Sequence, residues 1–258
     1  MFWTPARADG RTLAVVVSGL VVLAWLSVVA WSFSPVDRYL DHSSLEDLPV
    51  GVPAAAAIFV GGWALMIVAM MLPTTYPVLA LFGGVVKGRD DRGLLLSLCL
   101  AGYLVVWIAF GAAAYVADLG LHESLERVAW VEQRPWLVGT AVLGLAGAYQ
   151  FTPLKDRCLD QCRSPRMFVL RHWTGRRERL SALALGLDSG AYCVGCCWSL
   201  MLLMFAVGAG SIPWMLTLAI VMVIEKNVAW GDQISRPLGA SLILAGAVAA
   251  LEGGFGPP

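Results

Sequence analysis

Residues 181–207, SALALGLDSGAYCVGCCWSLMLLMFAV, decide how the rest of the chain is read. The stretch runs for 27 residues with one charged side chain, Asp188, and has no alternation of apolar and polar positions that would suit a half-buried strand. About 20 helical residues cross a hydrocarbon core of about 30 Å, so this segment is a membrane-spanning helix by length and composition. Six further apolar stretches occur, at 11–33, 53–82, 93–117, 136–152, 212–225 and 235–251. Seven spans in one transmembrane domain, residues 1–258, are therefore predicted, as an all-α polytopic bundle. The first stretch is too long for the apolar region of a secretory leader and is counted as a span.

Composition agrees. Of the 258 residues 59% are hydrophobic and 14% charged, where a soluble globular chain carries about 25% charged residues, which excludes a soluble enzyme and a disordered tail. Twenty-seven glycines and 11 tryptophans fit spans that pack closely and anchor at the interface. Gly144 with Gly147, and Gly186 with Gly190, have the spacing of close helix approach. A net charge of zero gives no basic surface for nucleic acid.

The cations set the orientation. Arg7 and Arg11 precede the first span, Lys87, Arg89 and Arg92 join the second to the third, and eight lie between Lys155 and Arg179. Lys226 and Arg236 join the sixth to the seventh. The opposite loops hold Asp37, Asp41, Glu46, Asp47, Asp118, Glu123, Glu126 and Glu132, with only Arg38, Arg127 and Arg134. Cytoplasmic loops are the ones rich in Lys and Arg, so the N-terminus is predicted to lie in the cytoplasm and the protein in the bacterial inner membrane. The basic segment 156–179 is read as a loop lying along the anionic inner leaflet.

Five of six cysteines fall in two clusters: Cys158 and Cys162, then Cys193, Cys196 and Cys197. Residues three and four apart share a helix face, so Cys193 meets Cys196 and Cys197, and the line continues to Met201 and Met204. A second sulfur stripe lies in the second span, with Trp63, Met66, Met70 and Pro73 spaced along one face and Met71 adjacent. Pro73 withholds a helical hydrogen bond and should open the helix near Met70 and Met71. The bland reading of a methionine stripe is core packing, and of a lone Cys99 a small buried hydrophobe. Clustered thiols argue instead for ligand duty.

Thiolates and thioethers select soft ions, Cu(I) ahead of zinc. The three histidines, His42, His122 and His172, lie in predicted loops, which leaves the spans without imidazole ligands. The candidate metal ligands are Cys193, Cys196, Cys197, Cys158, Cys162, Met70, Met66 and Met201, with Cys158 and Cys162 as cytoplasmic-side relay ligands. Asp188, Glu225 and Lys155 are charges at or near membrane depth and so candidate charge or proton partners, against snorkelling or helix pairing as the plain alternative for Lys155 and Lys226.

Several blocks in order resemble a bacterial family of integral membrane proteins described only as predicted metal-binding, a domain of unknown function. They are Trp63 to Met66 continuing through Ala69-Met70-Met71-Leu72-Pro73, Tyr149-Gln150 with Pro153-Leu154-Lys155, and Cys158 through Cys162-Arg163-Ser164-Pro165. Cys193-Val194-Gly195-Cys196-Cys197-Trp198 with Leu200-Met201, and Glu225-Lys226, complete the set, which covers about 63–226. The resemblance implies a multi-span protein whose signature residues are soft donors. Family members often carry Arg-His just before the glycine at position 190, where this chain has Asp188-Ser189, so Ser189 is given no role.

The residues therefore predict a protein that handles a soft metal ion within the bilayer, in transfer, transport or homeostasis, with a protein partner for delivery. A membrane thiol-disulfide oxidoreductase using Cys193 and Cys196, with a quinone as electron partner, is the first alternative. A metal-dependent membrane oxidoreductase and a packing scaffold with inert cysteines are the others. No nucleotide-binding loop is evident, so ATP-driven pumping would need a partner.

Overall fold

The computed structural model describes residues 9–32, 52–126, 136–173, 175, 177–207 and 211–255. Among them there is no strand, and the helices in chain order are α1 (Asp9–Ser32), α2 (Val52–Met70), α3 (Leu72–Val85), α4 (Arg92–Glu126) and α5 (Trp136–Tyr149). They continue with α6 (Pro153–Arg163), α7 (Pro165–His172), α8 (Glu178–Val207), α9 (Ile212–Asn227) and α10 (Ser235–Phe255), the last preceded by a 3-10 turn at Gly231–Ile234. Among the described residues, four helical segments are long and apolar enough to cross a membrane alone: Gly10–Trp31, Arg92–Ala117, Glu178–Met204 and Gly231–Gly253. Two bent pairs raise the number to six if each is one span, Phe59–Met70 with Leu72–Val85 at 65° and Trp136–Tyr149 with Pro153–Arg163 at 63°.

Where seven spans are expected, four to six segments among the described residues have the length and composition of a span. The stretch 212–225 becomes α9, a helix of 16 residues and so about 24 Å long, short of a hydrocarbon core of about 30 Å. Two expected loops are also helical. The segment around Asp118, His122, Glu123 and Glu126 forms the last turns of α4. The basic segment after Lys155 folds into α6 and α7, because Thr152 caps α6 by accepting from the Lys155 N–H at 3.3 Å and prolines start both helices. His172 therefore ends a helix. Arg7, Arg38, Arg127, Arg134, Asp37, Asp41, His42, Glu46, Asp47 and Glu132 lie outside the described residues.

Pro73 opens the second span where expected. It has no N–H for the carbonyl of Ala69, one turn back, and the helix breaks between Met70 and Leu72. The orphaned carbonyl is taken by the indole N–H of Trp25 in α1, at 3.1 Å. Trp25→Phe would leave that buried acceptor bare, and its expected effect is a loss of about 1–3 kcal/mol, read as a lower thermal midpoint in detergent. An unchanged midpoint would mean that another donor covers Ala69.

Helices α4 and α8 form the central crossing. A β-carbon at Gly102 would lie 2.6 Å from the Leu183 carbonyl, and one at Gly186 would strike the Cys99 carbonyl. Gly102 to Gly186 and Cys99 to Leu183 are each 84 residues apart, so the two close approaches are approximately symmetric. Gly190 and Gly147 also sit in close approaches, whereas the space beside Gly144 is open.

Two ties gather the basic turns. Arg89 donates to Glu178 at 2.7 and 2.5 Å and to Asp91 at 2.9 Å, joining the α3–α4 turn to the start of α8. Those hydrogen bonds hold the Asp91 carboxyl below its ordinary range. Arg163 at the end of α6 donates to the carbonyls of Glu225, Val228 and Ala229 and to Asp232. That draws the turn between α9 and α10 against α6.

Candidate metal centre

One turn and a half of α8, Cys193 to Cys197, carries three thiols into a fully buried cluster with Met66, Met70, Met71, Met201, Met204, Met215 and Met222. The two sulfur stripes read from the sequence thus pack into one core. Cys196 Sγ lies 3.4 Å from Cys197 Sγ and 3.8 Å from Cys162 Sγ, which arrives from α6. Cys162 is partly exposed, unlike Cys196 and Cys197, which have no exposed surface. Cys158, one turn earlier on α6, packs against Gly195: a β-carbon there would fall 2.5 Å from Cys158 Sγ. All six cysteines are free.

Two sulfurs each about 2.3 Å from one ion stand about 3.8 Å apart at a tetrahedral angle and about 4.6 Å apart when opposite. Cys162 and Cys196 fall in that range without rearrangement, and Cys196 with Cys197 needs a small opening. Among the described residues no group of three or more His, Cys, Asp or Glu side chains is gathered closely enough to hold a metal ion. The geometry is that of sulfur pairs flanked by thioethers, which suits a soft ion of low coordination number better than a four-ligand zinc cage.

Cys193 is held differently. Its sulfur lies 3.0 Å from the Tyr103 hydroxyl and accepts from Lys226 Nζ at 2.9 Å. Lys226 also donates to Thr74 Oγ1 at 3.3 Å, and Thr74 in turn donates to the Met71 carbonyl at 2.7 Å. Tyr103 reaches the same carbonyl at 3.4 Å. The break between α2 and α3 is therefore tied to Cys193. Tyr149, at the other break, donates its hydroxyl to the Gly195 carbonyl. Both helix breaks thus close on the same turn of α8.

The three charged candidates separate. Lys155 and Glu225 pair with each other, Nζ to Oε1 at 2.8 Å and to Oε2 at 3.1 Å, both side chains almost without exposure. Gln150 Oε1 also accepts from Lys155, and Ser235 donates to Glu225 Oε1 at 2.7 Å. They fasten α6 to α9 and so position Cys162; neither contacts a thiol. Asp188 faces the exposed side of α8, where it meets His172 Nε2 at 2.6 Å with 55% of its side chain open. It is no charge partner for the buried sulfurs, because position 188 points away from the face shared by 193, 196 and 197.

Sequence reading set Lys226 among the snorkelling candidates and passed over Tyr103 and Thr74. A lysine next to a glutamate at the end of an apolar stretch was the available signal for the first. Nothing local marks the other two, which reach Cys193 only through helix packing.

The described residues are thus helical, with segments of membrane-spanning length and a buried cluster of thiols and thioethers. The copper chaperone family PpoB2 matches residues 60–249, and the chain belongs to that family. No curated protein and no solved structure matches it.

Proposed function

We propose that the protein is a Cu(I)-handling chaperone built into the bacterial inner membrane as a single multi-pass domain, with its N-terminus in the cytoplasm. Cu(I) is the cargo. Cys196 holds it with Cys193 or Cys197, Cys162 and Cys158 relay it from the cytoplasmic side, and Met70, Met66 and Met201 serve as exchangeable thioether neighbours. The observation that carries this reading is the 3.8 Å approach of Cys162 on α6 to Cys196 on α8, two thiols 34 residues apart with spacing suited to a shared ion. Basic turns gathered by Arg89 and Arg163 agree with a common cytoplasmic side.

Cys162 is the accessible member of the set, so it exchanges with the outside, and Cys158 lines its approach. Arrival from a bis-thiolate carrier balances as [Cu(SR)2]⁻ plus two cysteine thiols giving the protein-bound bis-thiolate and two RSH, with no change of oxidation state. Delivery to a partner protein bearing soft ligands is the reverse exchange.

Protein purified anaerobically without chelator should carry stoichiometric copper by elemental analysis. The Cys196→Ser/Cys197→Ser variant, matched for folding, should carry none. Absence of metal from both after loading with Cu(I) would end the ligand reading and leave thiol redox chemistry.

A further inference from the structure

We infer that Lys226 makes the buried sulfur site selective for a monovalent ion, by supplying the positive charge that a two-thiolate Cu(I) complex needs and a divalent complex does not. The inference rests on the copper reading of the same site.

The described residues around the cluster bring three cations to it or to its supports. Lys155 has Glu225, and Arg163 has Asp232. Lys226, 5% exposed, has only the Thr74 hydroxyl and the Cys193 sulfur within hydrogen-bond reach, and no carboxylate. A charge taken out of water must be offset inside the protein. Among the described residues, the groups beside Lys226 able to offer negative charge are the cysteine sulfurs and the Tyr103 hydroxyl, and that hydroxyl is engaged with Cys193 and the Met71 carbonyl.

The sum then depends on the ion. With Cys193, the sulfur that Lys226 touches, as one of its two thiolates, a Cu(I) complex carries a net charge of minus one, which Lys226 brings to zero. Two thiolates around Zn(II) are already neutral, and Lys226 leaves the pocket with an uncompensated positive charge. A zinc site with three or four thiolates would escape this penalty, but no such gathering of ligands exists among the described residues. Softness of the donors excludes hard ions; the fixed ammonium adds discrimination by charge among soft ones. Thr74 is the device that aims it, holding Nζ over Cys193 from the first turn of α3.

The test compares the parent with Lys226→Gln, which keeps a donor for Thr74 and Cys193 without the charge, and Lys226→Arg, which keeps the charge. Affinities for Cu(I) and Ag(I) are measured by competition with a chromogenic chelator, and for Zn(II) alongside. Lys226→Gln should weaken both monovalent ions about tenfold or more, equivalent to about 1.4 kcal/mol, while Zn(II) holds or improves. Lys226→Arg should keep the parent's preference. Equal loss of all three ions, or no loss, in a folded Lys226→Gln protein would overturn the inference. If that variant does not fold, a reversal of preference in Lys226→Arg overturns it and retention supports it. Cu(I) binding that persists in Cys196→Ser/Cys197→Ser would instead remove the copper reading itself; loss there with no effect of Lys226→Gln removes only the role of the lysine.

Discussion

Glu225→Gln is expected to destabilise the protein by about 3–5 kcal/mol, among the largest effects available to a single substitution here. The carboxylate takes two hydrogen bonds from Lys155 and one from Ser235 in a site with almost no exposure to solvent. A neutral amide still offers one oxygen beside that of the Gln150 side chain, but it leaves the Lys155 ammonium buried without a countercharge. Replacing both partners, Lys155→Met with Glu225→Gln, should restore much of the loss, since no uncompensated charge then remains. Thermal unfolding in detergent reads the difference. A single variant as stable as the parent would show that water or a shifted side chain reaches the ammonium, and that α6 is not fastened as described.

The second large effect is expected at Gly195. There α6 rests on α8 within the thiol cluster, and a methyl group would meet Cys158 Sγ at 2.5 Å and its Cβ at 3.3 Å. Both belong to helices fixed elsewhere, α6 by Lys155 and Arg163 and α8 by its crossing with α4, so neither yields cheaply. Gly195→Ala should cost about 1–3 kcal/mol of overpacking. It should also push Cys162, one turn beyond Cys158, away from Cys196, lowering Cu(I) affinity about tenfold or more, the effect of 1.4 kcal/mol. Oxidative cross-linking between Cys162 and Cys196, with the other cysteines replaced, measures the separation directly. A cross-linking rate and copper affinity equal to the parent's would mean that the helices accommodate the methyl group without moving the thiols.

Both effects concern the position of α6, and there the limits of local reading are plain. Cys158 and Cys162 are spaced for one helix face, and that spacing made them candidates. Nothing local says that the helix holding them bends by 63° from α5 and rests on α8. Pro153 and Thr152 mark the start of a helix but not its direction, and a segment with eight cations among its 25 residues reads equally well as a solvated loop.

Length, apolar content and the spacing of soft donors were determined by the sequence alone. Those properties repeat along one chain segment, and a helix of 3.6 residues per turn converts them into faces without help from any neighbour. The opening at Pro73 and the shared face of Cys193, Cys196 and Cys197 belong to this group. Tertiary structure decided which faces meet. It joined Lys155 to Glu225 across 70 residues, Cys162 to Cys196 across 34 and Lys226 to Cys193 across 33, and it sent Asp188 outward to His172. The physical reason is that a buried charge or thiol takes the partner that helix crossing brings within about 3–4 Å, and the crossing is set by where a glycine lets two backbones touch and where a proline bends a third.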